Sequence, residues 1–267
     1  MRNFLKDLYI VGAVQVFREG KLIRYGINDL MKYCDHIVIL IDNEDKRTRD
    51  IALRYKRKYK DYFTICWSGV PRSVKEKEKK PGHIKHRAKH TKNYSKGVVL
   101  YELRKLNKKR KIDILIFHDA DEMFTDHFPK VLEKFWESNK SALAVRLVQP
   151  FDDFYTIYEH RAFPHFRIFK YRDDMRAFPT RFRQLFFPFT SRDAMGHNYS
   201  MIHLGSFTEE MRQLHKRWTG REPNPEYRLW KTDKDIRKMS PEEIGKVLKS
   251  PHFLTRREYY ERKKLSN

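Results

Sequence analysis

Along the first half of the chain, runs that are apolar throughout alternate with stretches in which apolar residues return every three or four positions. Leu8 to Phe17 reads as a buried strand, and Lys21 to Cys34 follows with Leu22, Ile23, Ile27, Leu30 and Met31 at helical spacing. His36 to Ile41 is a second apolar run, ended by Asp42-Asn43-Glu44-Asp45, and Arg47 to Tyr59 returns to helix with Ile51, Ala52 and Tyr55 on one side. Phe63 to Trp67 reads as a third strand, Ser95 to Leu106 as a helix, and Ile112 to Phe117 as a fourth strand that ends on His118-Asp119-Ala120-Asp121-Glu122. Strands apolar on both faces, alternating with helices, predict an α/β fold: a mostly parallel sheet flanked by helices. Ligands of such sheets bind beyond the carboxyl ends of the strands, which here means Asp42 to Asp45 and Asp119 to Glu122.

The pattern then loosens. A helix is expected at Phe128 to Asn139, and strands at Ala142 to Val148 and Phe166 to Phe169, but Gln149 to Pro164 has no clean period. Pro179 and Pro188 interrupt a region dense in Phe and Arg, and helical spacing returns at Thr208 to Trp218, Pro241 to Leu248 and Thr255 to Lys264. There are no internal repeats and no Pro/Ser-rich linker, so one domain is expected, with a less regular, aromatic- and Arg-rich C-terminal half.

Charge changes the picture. Lys and Arg number 58 against 35 Asp and Glu, a net charge of +23, well beyond what solubility asks for. This points to a polyanionic partner, although a solvated basic surface would read the same way. From Arg72 to Lys111 there are sixteen Lys and Arg against three Glu, and Val70 to Asn93, nearly without apolar residues, reads as a substrate-facing loop. His83, His86 and His90 lie among lysines that would repel a cation. Arg176, Arg181, Arg183 and Arg192, interleaved with Phe178, Phe182, Phe186, Phe187 and Phe189, would suit stacking and phosphate contact, or simply a phenylalanine core under a basic face. Cys34 and Cys66 sit in apolar surroundings without metal-ligand spacing and read as buried thiols. No membrane span or export signal is legible, so a cytoplasmic setting is expected, including the cytoplasm of a virus-infected host cell.

Asp119 and Asp121 are the sharpest chemical feature. Two carboxylates one residue apart at a strand end can face one divalent cation, Mn²⁺ or Mg²⁺, whose other ligands are substrate phosphates and water; they can equally cap the next helix. These residues resemble family 2 glycosyltransferases of the GT-A, Rossmann-like fold, in the run from Ile112 to Phe124 and in the strand, helix, strand and Asp-rich turn that precede it. The resemblance implies metal-dependent transfer of a sugar from a nucleotide sugar to an acceptor hydroxyl. Residues 1–125 would then be the nucleotide-sugar-binding half and 126–267 the acceptor-binding half.

It further implies a base or ribose contact from Asp42 with Glu44 beside it, donor contacts from Lys92, Asn93 and Arg167, and a third metal ligand in His203, which could otherwise be a core histidine. An inverting reaction needs a carboxylate base, and Asp153 or Asp152 follows the strand where the family carries one. With the charge, the favoured acceptor is DNA bearing a hydroxymethylated pyrimidine, with a cell-surface saccharide or lipid as the alternative. A metal-dependent nuclease, with Asp119 and Asp121 holding the metal, is the reading from another class.

Overall fold

The computed structural model describes residues 4–16, 22–42, 46–68, 84–158, 164–177, 186–187, 191–204, 207, 209, 212–213 and 227–265; at 42, 68, 84–96, 177, 186–187, 191 and 197–198 it describes the backbone alone. The chain divides into two compact units. The first comprises Met1–Ala120, Phe135–Ala144 and His165–Met195, and the second Asp121–Lys134, Val145–Pro164 and Gly196–Asn267.

The first unit is the α/β layer structure that the apolar runs predict. Its elements in order are β1 (Ile10–Val16), α1 (Ile23–Leu30), β2 (His36–Asp42), α2 (Lys46–Tyr59), β3 (Phe63–Ser68), α3 (Ile84–Lys109) and β4 (Ile114–Asp119). β1 pairs in parallel with both β2 and β4, and β2 with β3, so the sheet order is 3-2-1-4, the Rossmann-like sequence in which the chain returns to the far side of its first strand. A later strand, His165–Lys170, runs antiparallel to β4 along that edge.

Two aspartates fix the start of the central strand. The N–H of Ile10 donates to the Asp35 carboxylate at 2.9 Å, and that of Tyr9 donates to the Asp113 carboxylate at 2.8 Å. Their own N–H groups return to the carbonyls of Ile10 and Tyr9, at 2.8 and 3.0 Å. Donors at the entrance of a fully buried strand would otherwise be orphaned.

Alternate residues of β1 serve the two faces. Val11 and Ala13 join Val38, Leu40, Leu115 and Phe117 in a core closed by Val99, Leu100 and Leu103 of α3. Gly12 faces α1, where a Cβ would stand 3.0 Å from Cys34 Sγ and 3.2 Å from Leu30. Both cysteines are buried and unbridged, and burial pushes the Cys66 thiol up to about 12.

In the second unit, β5 (Glu122–Phe124) follows at once, and α4 (Phe128–Glu137) leads to β6 (Ala142–Phe151), whose part from Val145 onward belongs here. β7 (Asp153–Tyr158) turns back on β6; with β8 assigned to His165–Lys170 above, the remaining elements are β9 (Arg176–Ala177), β10 (Phe186–Phe187), β11 (Ala194–His203), β12 (Arg228–Lys231), α5 (Pro241–Lys249), β13 (Leu254–Thr255) and α6 (Arg256–Leu265). β13, β12, β7 and β6 form an antiparallel ribbon in that order, and β11 pairs with β5 and β6. Phe151, Leu229 and Tyr259 form its small core.

Three expectations are corrected. Val70 to Asn93 is not loop throughout, because α3 begins at Ile84: lysine, arginine and alanine form helix well without an apolar stripe to announce it. The stretch after Gln149 is a regular strand, β7, whose burial does not alternate cleanly. β11 runs for ten residues, although Gly196, Asn198 and Ser200 favour strand poorly; its pairing with β5 supplies what propensity does not. The helical spacing expected at Thr208 to Trp218 falls mostly outside the described residues.

Gly12→Ala should destabilise the protein by about 1–3 kcal/mol, because the new methyl forces β1 and α1 apart. Urea unfolding of the variant checks this; wild-type stability would mean that α1 has room to move.

Candidate functional site

The chain returns from β3 through α3 to β4 on the other side of β1, so the β1/β4 boundary is the point where the strand order reverses. Gln15 stands opposite Asp119 in the parallel register, which puts Asp119 at the carboxyl end of that boundary. Asp42 ends β2 on the same edge.

Arg167, on β8, reaches Asp119 in an ion pair. Its side chain is 6% exposed, against 41% for that of Asp119, so the cation is held in the protein and the carboxylate opens outward. Burying an arginine without its carboxylate would leave a desolvated charge, which explains why β8 carries this residue in an otherwise apolar strand, Phe166-Arg167-Ile168-Phe169.

In the second unit, β5 and β11 are held antiparallel with Glu122 opposite His203, and the N–H of Leu204 donates to the Asp121 carbonyl at 2.7 Å. This pairing brings together residues eighty positions apart. Nε2 of His203 lies 3.3 Å from Oδ2 of Asp121, and Gln149 of β6 places its amide nitrogen 2.9 Å from His203 Nδ1. Adjacent ligands of an octahedral ion bound at about 2.1 Å are about 3.0 Å apart, so the carboxylate and the ring nitrogen are at the spacing that one cation would need. Among the described residues no group of three or more His, Cys, Asp or Glu is arranged as a metal centre. The residues here therefore fit an ion that takes two or three ligands from the chain and the rest from phosphate and water, as Mg²⁺ and Mn²⁺ do, and do not fit a metal caged by protein alone.

Asp152 and Asp153 make the tight turn between β6 and β7. Asp152 has a positive φ of 63°, which aspartate tolerates, and Oδ1 of Asp153 accepts the N–H of Tyr155 at 2.8 Å. The Asp152 carboxylate accepts from Arg212 and from Lys263 of α6, both at 2.8 Å. Arg212 also binds Glu209 at 2.9 Å and lies over the Phe151 ring. Burial works against the Arg212 charge, but Glu209 and Asp152 outweigh it and raise its pKa; burial would likewise raise the Glu209 carboxyl, yet bonds from Gln213 and Arg212 hold it below its ordinary value. Asp152 thus anchors a network tying the turn to α6, and Asp153 carries the simpler local role.

Of the other predicted residues, Lys92 and Asn93 lie in α3 with backbone alone described, and Glu44 lies outside the described residues. Within the basic segment, 72–83 also lies outside; Arg104 donates to the Met175 carbonyl, Lys105 pairs with Glu102, and Arg110 covers the Tyr9 ring. Arg176 and Arg192 are exposed, while Arg181, Arg183, Phe178, Phe182 and Phe189 lie outside the described residues. Gln149 was missed by sequence reasoning. A lone amide in the apolar run from Ala142 to Phe151 was the available signal.

No protein-family profile matches the chain, and no curated protein matches it in sequence. Among solved structures, it is similar to a 4-diphosphocytidyl-2C-methyl-D-erythritol synthase from Anaerococcus prevotii DSM 20548, at 12% identity over 82% of this chain and 100% of the other, with a TM-score of 0.41. It is also similar to TarS of S. aureus, at 12% identity over 79% of this chain and 65% of the other, with a TM-score of 0.39.

Asp119→Ala should cost about 1–3 kcal/mol, below the range for a fully buried pair because water reaches the carboxylate. Adding Arg167→Met should recover part of that loss. A single variant as stable as wild type in urea would show that the pair contributes nothing to the fold.

Proposed function

We propose that the chain is a glycosyltransferase that moves a sugar from a nucleotide sugar to an acceptor hydroxyl with the help of Mn²⁺ or Mg²⁺. The observation that carries this reading is the position of Asp119 at the carboxyl end of β4, at the strand-order reversal where open α/β sheets receive nucleotides. Asp121 and His203 would hold the cation, with Asp119 as a further oxygen ligand two residues along the chain. The cation would offset charge on the departing diphosphate. Arg167 would hold Asp119 in place and add positive charge beside the phosphates. Asp42, Glu44, Lys92 and Asn93 remain the residues assigned to the nucleotide.

For the acceptor base we retain Asp153 ahead of Asp152. A base must be able to take a proton from the acceptor hydroxyl, and the Asp152 carboxylate already accepts from two cations. The acceptor we assign is a polyanion, with DNA carrying hydroxymethylated pyrimidines as its specific form. The support is the net charge of +23 and the lysines and arginines of residues 72–111.

The nuclease reading places the same aspartates on metals but requires no nucleoside diphosphate site. Thermal unfolding with ADP, CDP, GDP and UDP, each with and without Mn²⁺, separates the two. Mn²⁺-dependent stabilisation by one diphosphate, together with mass added to hydroxymethylated DNA from the matching nucleotide sugar, is the expected result. Asp121→Asn should remove the Mn²⁺-dependent stabilisation and reduce turnover on the order of 10²-fold or more, leaving the unliganded midpoint unchanged. Stabilisation without added mass would reject DNA as the acceptor. No response to any diphosphate, with nicking of plain DNA, would replace the transferase by the nuclease.

A further inference from the structure

Gln149 is 4% exposed, in a strand whose neighbouring residues Leu147, Val148 and Phe151 are buried and apolar. Its amide nitrogen faces Nδ1 of His203 at 2.9 Å, while Nε2 of the same ring faces Asp121 at 3.3 Å. An amide nitrogen can only donate, so Nδ1 is the acceptor and the ring proton of the neutral imidazole sits on Nε2, directed at the carboxylate. In that tautomer Nε2 offers no lone pair to a cation. A half-turn of the amide about its last torsion changes no shape and places the amide oxygen against Nδ1 instead. The oxygen accepts from a protonated Nδ1, and Nε2 then presents its lone pair beside Asp121.

We infer that Gln149 is a positioning residue that selects the tautomer of His203, nitrogen toward the ring when the site holds no cation and oxygen toward the ring when Nε2 ligates one. This rests on the reading of Asp121 and His203 as metal ligands. The proton balance is closed: Nε2 releases its proton to water as Nδ1 takes one up, and the ring stays neutral. Glutamine is suited to the task because it both donates and accepts from one buried position, so the ring has a partner in either state. Histidine ligands are commonly oriented by such a hydrogen bond on the nitrogen away from the metal, and losing it typically weakens metal binding about 10–100-fold.

The test uses the full chain with Mn²⁺ and inorganic pyrophosphate, and reads bound Mn²⁺ by electron paramagnetic resonance. Gln149→Met, which keeps the volume and removes both hydrogen-bonding groups, should weaken Mn²⁺ binding about 10-fold or more. Gln149→Glu keeps the acceptor and should restore binding to at least the wild-type level. His203→Ala should lose it. In parallel, ¹⁵N spectra of the His203 ring, assigned by their absence in His203→Ala, should show the proton on Nε2 in the metal-free protein and on Nδ1 after addition of Mg²⁺ and pyrophosphate.

Unchanged Mn²⁺ binding by His203→Ala would overturn the metal reading itself, and the tautomer proposal with it. Loss in His203→Ala but wild-type binding in Gln149→Met would overturn the tautomer proposal alone. Equal losses in Gln149→Met and Gln149→Glu would also overturn it, since packing would then explain both, as would a ring proton that stays on Nε2 with Mg²⁺ bound. Should Gln149→Met fail to fold in a thermal scan, Gln149→Glu and the ring spectra decide the matter.

Discussion

The pairing of β1 on both sides is the constraint on which the rest of the first unit depends. A strand buried on two faces and bonded along both edges has one permissible register, because a slip by one residue would turn every side chain to the opposite layer. Here that register is set at the strand entrance, where Asp35 and Asp113 trade backbone and side-chain bonds with Ile10 and Tyr9. With six paired positions between β1 and β4, fixing the entrance fixes the exit, and the exit is where Asp119 stands opposite Gln15. Two aspartates that take no part in chemistry therefore determine where a third one is delivered.

A chain this basic has few carboxylates that are not already answered by a cation. Asp119 has Arg167, and Asp152 has both Arg212 and Lys263. Asp121 differs in kind, since its partner is an imidazole that carries charge only when protonated. The distinction bears on which aspartate leads in binding a metal. A divalent ion approaching Asp119 meets the field of a buried guanidinium, whereas one approaching Asp121 meets a neutral ring that is itself a ligand. Asp121 and His203 are thus the better-suited pair, and Asp119 is the oxygen that must be shared with Arg167.

Much of the first unit was legible in the sequence because parallel strands buried on both faces announce themselves as unbroken apolar runs; β1 through β4 all fall where those runs do. The second unit was poorly legible for the complementary reason. Its strands are antiparallel and unevenly covered, β12 and β13 have four and two residues, and β11 is held by its partner rather than by its composition. The candidate residues divide in the same way. Asp119 and Asp121 stood out because acidic residues interrupt an apolar run, and Arg167 because a charge sits inside one. Gln149 stood in an apolar run too, but an uncharged amide attracts less notice than its surroundings warrant, and only the distance to His203 reveals its use. The network of Asp152 joins positions 152, 209, 212 and 263, a set that no local pattern could have assembled.

The number of ligands also constrains the order of events in the proposed reaction. One carboxylate and one imidazole, with a further carboxylate already paired to arginine, leave an octahedral ion with at least three positions to fill. A cation held so sparingly by the protein gains most of its affinity from the diphosphate, and the diphosphate gains from the cation in equal measure, as reciprocal coupling requires. The metal is then best described as part of the donor complex rather than as a resident of the protein. This explains how the site can pair Asp121 with a neutral histidine and Asp119 with an arginine, both compact arrangements in the absence of any ion, and still accept the metal when it arrives with the phosphates.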